Sequence, residues 1–214
     1  MKPVFDRQCR DCPRLAAFLD EVKERYPEYY CGPVAPFGAP APHLLIVGLA
    51  PGMHGANATG RPFTGDHAGI LLYQMLHEFG FSNRPESKSA SDKLKLLDAR
   101  ITNAVKCLPP DNKPVGAEIN TCNRFLANEL QSLPANAVLF ALGGIAHRAI
   151  IKAFHLRQVD YKFGHAAEHP LPNGMLLLDS YHCSRYNTNT GRLTTAMFRA
   201  VFSRARELLN QAAA

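Results

Sequence analysis

The sequence predicts an α/β protein: a three-layer α/β/α domain around a central four-stranded parallel sheet. Two observations carry that prediction. Four short strand-like runs, Leu44–Leu49, Arg100–Lys106, Ala137–Leu142 and Met175–Asp179, alternate with segments whose apolar residues recur at helical spacing. The first run, Leu44-Leu45-Ile46-Val47, is also apolar along its length, as a strand covered on both faces must be, and it opens into a glycine-rich loop. Strands separated by helices imply right-handed crossovers and helices on both sheet faces.

Taken in order, Pro13–Tyr26 reads as a helix, with Pro13 suited to its first turn and Leu15, Phe18, Leu19 and Val22 on one face. Pro27, Pro33, Pro36, Pro40 and Pro42 then make a stiff, irregular connector. Strand Leu44–Leu49 follows, then the loop, a helix over Gly69–Phe79, strand Arg100–Lys106 and a helix over Ala117–Leu133. Strand Ala137–Leu142, helix Gly144–Phe154, strand Met175–Asp179 and a final helix over Leu193–Leu209 complete the pattern. Ser87–Ser91 is a polar loop, and no internal repeat is present.

At 214 residues the chain suits one domain spanning 1–214. Its 46% hydrophobic and 20% charged residues argue for a globular rather than a disordered chain. No apolar run approaches the ~20 residues of a membrane span, so no membrane association is expected. The start, Met1 to Arg7, lacks the apolar core of a secretory signal, and a cytoplasmic location is expected. A net charge of +6 is compatible with a polyanionic partner such as DNA.

The loop Gly48–Asp66 carries five glycines together with His54, Asn57, Arg61 and a closing Asp66. It contains neither the Gly-Lys pair of a phosphate-binding P-loop nor the G-x-G-x-x-G of a dinucleotide site. It reads as an active-site loop at the carboxyl end of a strand, where glycines let backbone N–H groups approach a substrate. A second polar loop, Tyr181–Arg192, follows the last strand and holds His182, Ser184, Arg185, Tyr186 and Asn187. It is expected to emerge beside the first.

Cys9 and Cys12 form a C-x-x-C; Cys107 follows a strand and Cys122 lies in the next helix. Neighbouring elements bring the second pair together. Four thiolates suit tetrahedral zinc or a [4Fe–4S] cluster, and the spacing does not separate the two; four unrelated buried thiols is the plainer reading. Disulfides are not expected in a reducing compartment.

These residues resemble the uracil-DNA glycosylase superfamily, and within it family 5, the B-type iron–sulfur enzymes. The resemblance rests on Gly48–Asp66, the four cysteines, Ile101–Cys107 leading to Pro109-Pro110, and His182–Gly191. It implies a [4Fe–4S] cluster on Cys9, Cys12, Cys107 and Cys122, and excision of uracil and other deaminated bases from DNA, by a protein expected to be a monomer.

Breaking a base–sugar bond builds positive charge on the sugar and negative charge on the base. Asp66 is suited to the sugar side and to orienting water; His182 is suited to donating a hydrogen bond to the departing base. Backbone groups of Gly52, Met53 and His54 would bind base carbonyls, Phe63 would stack on a flipped base, and Asn103 would read a pyrimidine edge. Arg185, Tyr186, Asn187 and Asn57 are the expected DNA contacts, with Tyr186 as the wedge filling the vacated stack. Leu49 cannot activate water, so the carboxylate must come from elsewhere; the resemblance implies that it is Asp66, which matches the aspartate of family 5's F-T-G-D segment. Asn103, uncommon in family 5, and Ala58, where the family usually has arginine, are departures affecting substrate breadth and one DNA contact. The competing readings are a non-catalytic iron–sulfur or zinc nucleic-acid-binding module and an enzyme of free nucleotides.

Overall fold

The structure, a computed structural model, describes residues 5–213, with side chains described through 211. Its elements in chain order are α1 (Pro13–Arg25), β1 (Phe37–Gly38), β2 (Leu44–Gly48), α2 (Ala56–Thr59), α3 (His67–Glu78), β3 (Ala99–Asn103) and α4 (Gly116–Leu130). They continue with β4 (Val138–Leu142), α5 (Gly144–Ala153), β5 (Glu168–Pro170), β6 (Leu176–Ser180), α6 (Arg185–Asn189) and α7 (Thr195–Ala213). The sheet order is β1-β3-β2-β4-β6-β5.

The four predicted strands form the parallel centre, β3-β2-β4-β6, in the expected places. The sheet nevertheless has six strands, not four, and is mixed, because β1 and β5 add antiparallel edges. Both are too short for side-chain alternation to register, and each contains or adjoins proline, which sheets tolerate at an edge. The predicted strand Arg100–Lys106 ends at Asn103, although Ala104 and Val105 still donate backbone hydrogen bonds to Gly48 and Leu49 at 2.9 and 3.0 Å.

Alternation along β2 divides the core. Leu44 and Ile46 face one cluster, shared with Leu72 and Leu76 of α3 and Phe198 and Phe202 of α7. Leu45 and Val47 face the other, with Leu126 of α4 and Ile150 of α5. Helices thus cover both faces, giving the three layers. Phe140 joins Phe198 and Phe202 in an aromatic group, its ring 5.0 Å from that of Phe202. The first helix packs apart from these layers, through a small cluster of Leu19, Val22 and Leu108. No helix among the described residues is long and apolar enough to cross a membrane.

Candidate active site

From β2 the chain leads to β3 on one side, whereas from β4 it leads to β6 on the other. Loops leaving the carboxyl ends of β2 and β4 therefore diverge, and this is where open α/β sheets form a ligand crevice. A cleft of about 640 Å³ lies there, large enough for a nucleobase and part of its sugar. It is lined by Gly52, Met53, His54, Phe63, Asp66, Asn103, His182 and Arg185, all of them expected from the sequence. Loops far apart in the chain supply these residues, so the structure brings Asp66 and His182 to one cavity.

Asp66 immediately precedes α3, and its backbone carbonyl accepts the Gly69 N–H at 3.0 Å. Its side chain does not cap that helix. Instead Oδ2 accepts the N–H of Ala56, at the start of α2, at 3.2 Å. A Cβ on Gly55 would lie 1.9 Å from Asp66 Oδ1, and one on Gly52 would lie 2.5 Å from it. Glycine is required at both positions because the carboxylate occupies the space a side chain would take. Burial raises the Asp66 pKa, opposed by the Ala56 N–H and by the charge of His54. His54 is held from outside by Tyr29, whose hydroxyl lies 2.8 Å from His54 Nδ1. Among the described residues, the N–H groups of Gly52, Met53 and His54 bond no protein acceptor, leaving three donors at the cleft.

His182 lies opposite in the chain, two residues after β6. Burial pushes its pKa down to about 4, so it is a neutral imidazole at physiological pH. Its ring lies 26° from parallel to that of Phe63, centroids 5.9 Å apart. Phe63 has a positive φ of 56°, a conformation that costs free energy for a bulky residue. Its neighbours impose it. Buried Arg61 binds Asp92 at 2.6 Å and the Ala90 carbonyl at 2.7 Å, and Tyr73 donates to the Pro62 carbonyl at 2.8 Å.

Asn103 ends β3 with 3% of its surface exposed, and its Oδ1 is buried without a hydrogen-bond partner. Unsatisfied buried amides are rare and costly, so this one is oriented for a donor the chain itself does not supply. Gly48 makes room for it, since a Cβ there would lie 2.4 Å from that oxygen.

Two expected DNA contacts are placed otherwise. Asn57 is fully buried in α2, its amide donating to Cys31 Sγ at 3.5 Å, so it cannot touch a duplex. Its polarity suggested exposure, but the tight turn of α2 folds it inward. Asn187 spends its amide on the His182 carbonyl at 2.8 Å, which makes it a brace for the histidine loop. Tyr186 is 71% exposed and Arg185 lines the cleft, as a wedge and a phosphate contact would require. The C-terminal arginines are largely committed within the protein: Arg199 pairs with Glu78, Arg204 with Glu168, and Arg206 donates to the Phe79 carbonyl.

Sequence reasoning missed Gly143, Gly144 and Ile145, which line the cleft at the start of α5. The Gly143-Gly144 pair directly after a strand was the available signal. It also missed Asn112, whose loop carries no distinctive spacing, and gave Ser184 of the histidine loop no separate role.

All four expected cysteines line a second, small pocket between α1, the loop after β3 and α4. Burial, reinforced by the neighbouring thiols, pushes Cys107 up to about 12; burial also pushes Cys122 up to about 11. The Lys106 N–H donates to Cys122 Sγ at 3.3 Å and Arg124 to Cys9 Sγ at 3.5 Å. Such donors suit sulfurs carrying negative charge.

Residues 35–206 match the family model described as the uracil DNA glycosylase superfamily. The chain belongs to that superfamily. Among its curated relatives, a type-5 uracil-DNA glycosylase of Thermus thermophilus is 48% identical over 205 residues, 94% of this chain and 93% of that protein. A type-5 uracil-DNA glycosylase of Pyrobaculum aerophilum is 39% identical over 201 residues, covering 92% and 87%. A type-4 uracil-DNA glycosylase of Archaeoglobus fulgidus is 32% identical over 149 residues, covering only 69% and 61%. Within the superfamily, then, the chain groups with the type-5 glycosylases.

Proposed function

We propose that this protein removes uracil, and other deaminated bases, from DNA by hydrolysing the N-glycosidic bond and leaving an abasic site. The observation that carries the reading is the unpartnered Asn103 amide oxygen in the same cleft as Asp66 and His182. An acceptor buried at that depth matches the ring N–H of uracil, which cytosine lacks.

A base turned out of the duplex enters the cleft and meets the Phe63 ring, while Tyr186 occupies the vacated stack. Asn103 reads the base edge, and the N–H groups of Gly52, Met53 and His54 donate hydrogen bonds to a base carbonyl oxygen. As the bond lengthens, the neutral His182 imidazole donates a hydrogen bond to the oxygen gathering negative charge. The Asp66 carboxylate stabilises the cationic sugar and orients the attacking water. Arg185 contributes phosphate attraction, which should weaken with added salt. The protein acts on DNA as a monomer in the cytoplasm, with no membrane partner.

Cys9, Cys12, Cys107 and Cys122 are proposed to hold a [4Fe–4S] cluster. Their shared pocket and the hydrogen bonds to two of their sulfurs fit a thiolate-bound group. Among the described residues no three of these sulfurs lie within 4.8 Å of one another. Zinc and a [4Fe–4S] cluster both suit four thiolates, and the likeness to the B-type iron–sulfur enzymes favours the cluster. When bound, it supplies a covalent cross-link between α1 and the β3–α4 region.

The deciding experiment is incubation with a uracil-containing oligonucleotide. Alkali-labile breaks at uracil are expected; retardation of DNA with no base release would favour the non-catalytic binding module instead.

A further inference from the structure

Outside the cleft, three side chains that the proposed reaction does not use converge on one buried point: His147 of α5, His169 of β5 and Asp179 of β6. Their side chains are 1%, 14% and 0% exposed. His147 Nδ1 lies 2.9 Å from Asp179 Oδ1, and His169 Nε2 lies 3.4 Å from Asp179 Oδ2. The nitrogen of His169 is nonetheless unsatisfied, because its ring direction misses the carboxylate and no other protein acceptor is within reach. One donor atom from each residue falls within 4.8 Å of the others.

The surroundings are those of a metal site. His147 Nε2 is 2.9 Å from the Tyr161 carbonyl, to which it donates its N–H. Metal-bound imidazoles are commonly fixed in this way, with the far nitrogen tied to a carbonyl and the near one directed inward. The Gly164 N–H steadies the carboxylate from another side at 3.4 Å. A surface cluster would pair its groups with water. Here a carboxylate with no exposure sits between two imidazoles, one of them lacking any partner, and that deficit is what a cation would fill.

We propose that His147 Nδ1, His169 Nε2 and the Asp179 carboxylate form a divalent-cation site, with zinc the ion best matched to two imidazoles and one carboxylate and a water completing the tetrahedron. On binding, the proton between His147 Nδ1 and Asp179 leaves to solvent, and the freed lone pair takes the metal. The ion would clamp α5, whose first residue lines the cleft, to β6, which runs directly into His182. It is therefore a staple behind one wall of the cleft rather than a participant in the chemistry.

The test uses the full chain purified anaerobically with its cysteine-bound group retained. The protein is dialysed against zinc, its metal content measured, and the zinc ligands read by X-ray absorption. About one zinc per chain in a nitrogen and oxygen shell is expected. His169→Ala should bind zinc at least ~10-fold more weakly, and zinc should raise the melting temperature of the native protein but not of the variant. Should alanine prevent folding, His169→Gln keeps similar bulk and is expected to show the same loss. Absence of bound zinc, a sulfur-only shell, or undiminished binding by the folded variant would each overturn the site and leave a buried hydrogen-bonded ion pair in its place.

Discussion

Asp66 is held where ionisation is unfavourable, yet the proposed reaction needs its charge. The fold raises its pKa above the ordinary value of 3.8, so the protonated form stabilises the protein. That stabilisation is complete below the unfolded pKa and is lost as pH rises through the folded one. Asp66→Asn is neutral at every pH and keeps the acceptor for the Ala56 N–H. Its melting temperature at pH 7 should exceed that of the native protein while single-turnover excision falls by at least ~10². An unchanged rate would remove Asp66 from its role. His182 behaves oppositely: burial favours the neutral ring, a contribution present above 6.5 and lost as pH falls toward about 4. The excision rate should therefore fall on the acid side as Asp66 protonates, with no separate inflection near 6.5; a rate tracking a group at 6.5 would mean His182 works as an imidazolium. Asn103 belongs to the same scale. Asn103→Ala should change the ratio of uracil to hypoxanthine release, and a fixed ratio in a lesion panel would contradict its reading of the base edge.

At the scale of elements, the loop between β2 and α3 is a packing problem solved by omission of side chains. Gly48, Gly52 and Gly55 leave room for Asn103 and for the Asp66 carboxylate. Gly55→Ala puts a methyl group in the carboxylate's place, 1.9 Å from Oδ1. Excision should fall by roughly 10², the scale of an ångström misplacement, while DNA retardation persists; normal turnover would show that the carboxylate's position is not critical. The glycine count was visible in the sequence, and residues of that loop line the cleft. What those glycines accommodate was not visible, because Asn103 reaches Gly48 from another strand and the Asp66 carboxylate folds back onto Gly52 and Gly55 from the far end of the loop. For the same reason α2 and α6 were read as loop: helices of four and five residues carry no usable periodicity.

Across the whole molecule, α1 is the weakly attached part. Its contacts include the small cluster around Leu19, Val22 and Leu108, an Arg14 hydrogen bond to the Lys113 carbonyl at 3.1 Å and the Arg14–Glu118 pair at 2.7 Å, which is half-exposed on the arginine side. Cys9 and Cys12 just before it and Cys107 and Cys122 across from it would supply a further connection through the proposed cluster. Cys107→Ser should therefore lose iron and release the N-terminal segment first, seen as early proteolysis before residue 30 and poor solubility; a colourless, folded variant as protease-resistant as the native protein would argue against a cross-link.

By itself the sequence determined the four central strands, the helices between them, both site loops and the cysteine quartet, since each is a local pattern of burial, turn chemistry or spacing. The tertiary structure alone decided the edge strands, the inward turn of Asn57, the bracing role of Asn187 and the meeting of His147, His169 and Asp179. Those depend on which surfaces lie opposite one another after the crossovers close, and neighbours made in that way leave no trace in the order of residues along the chain.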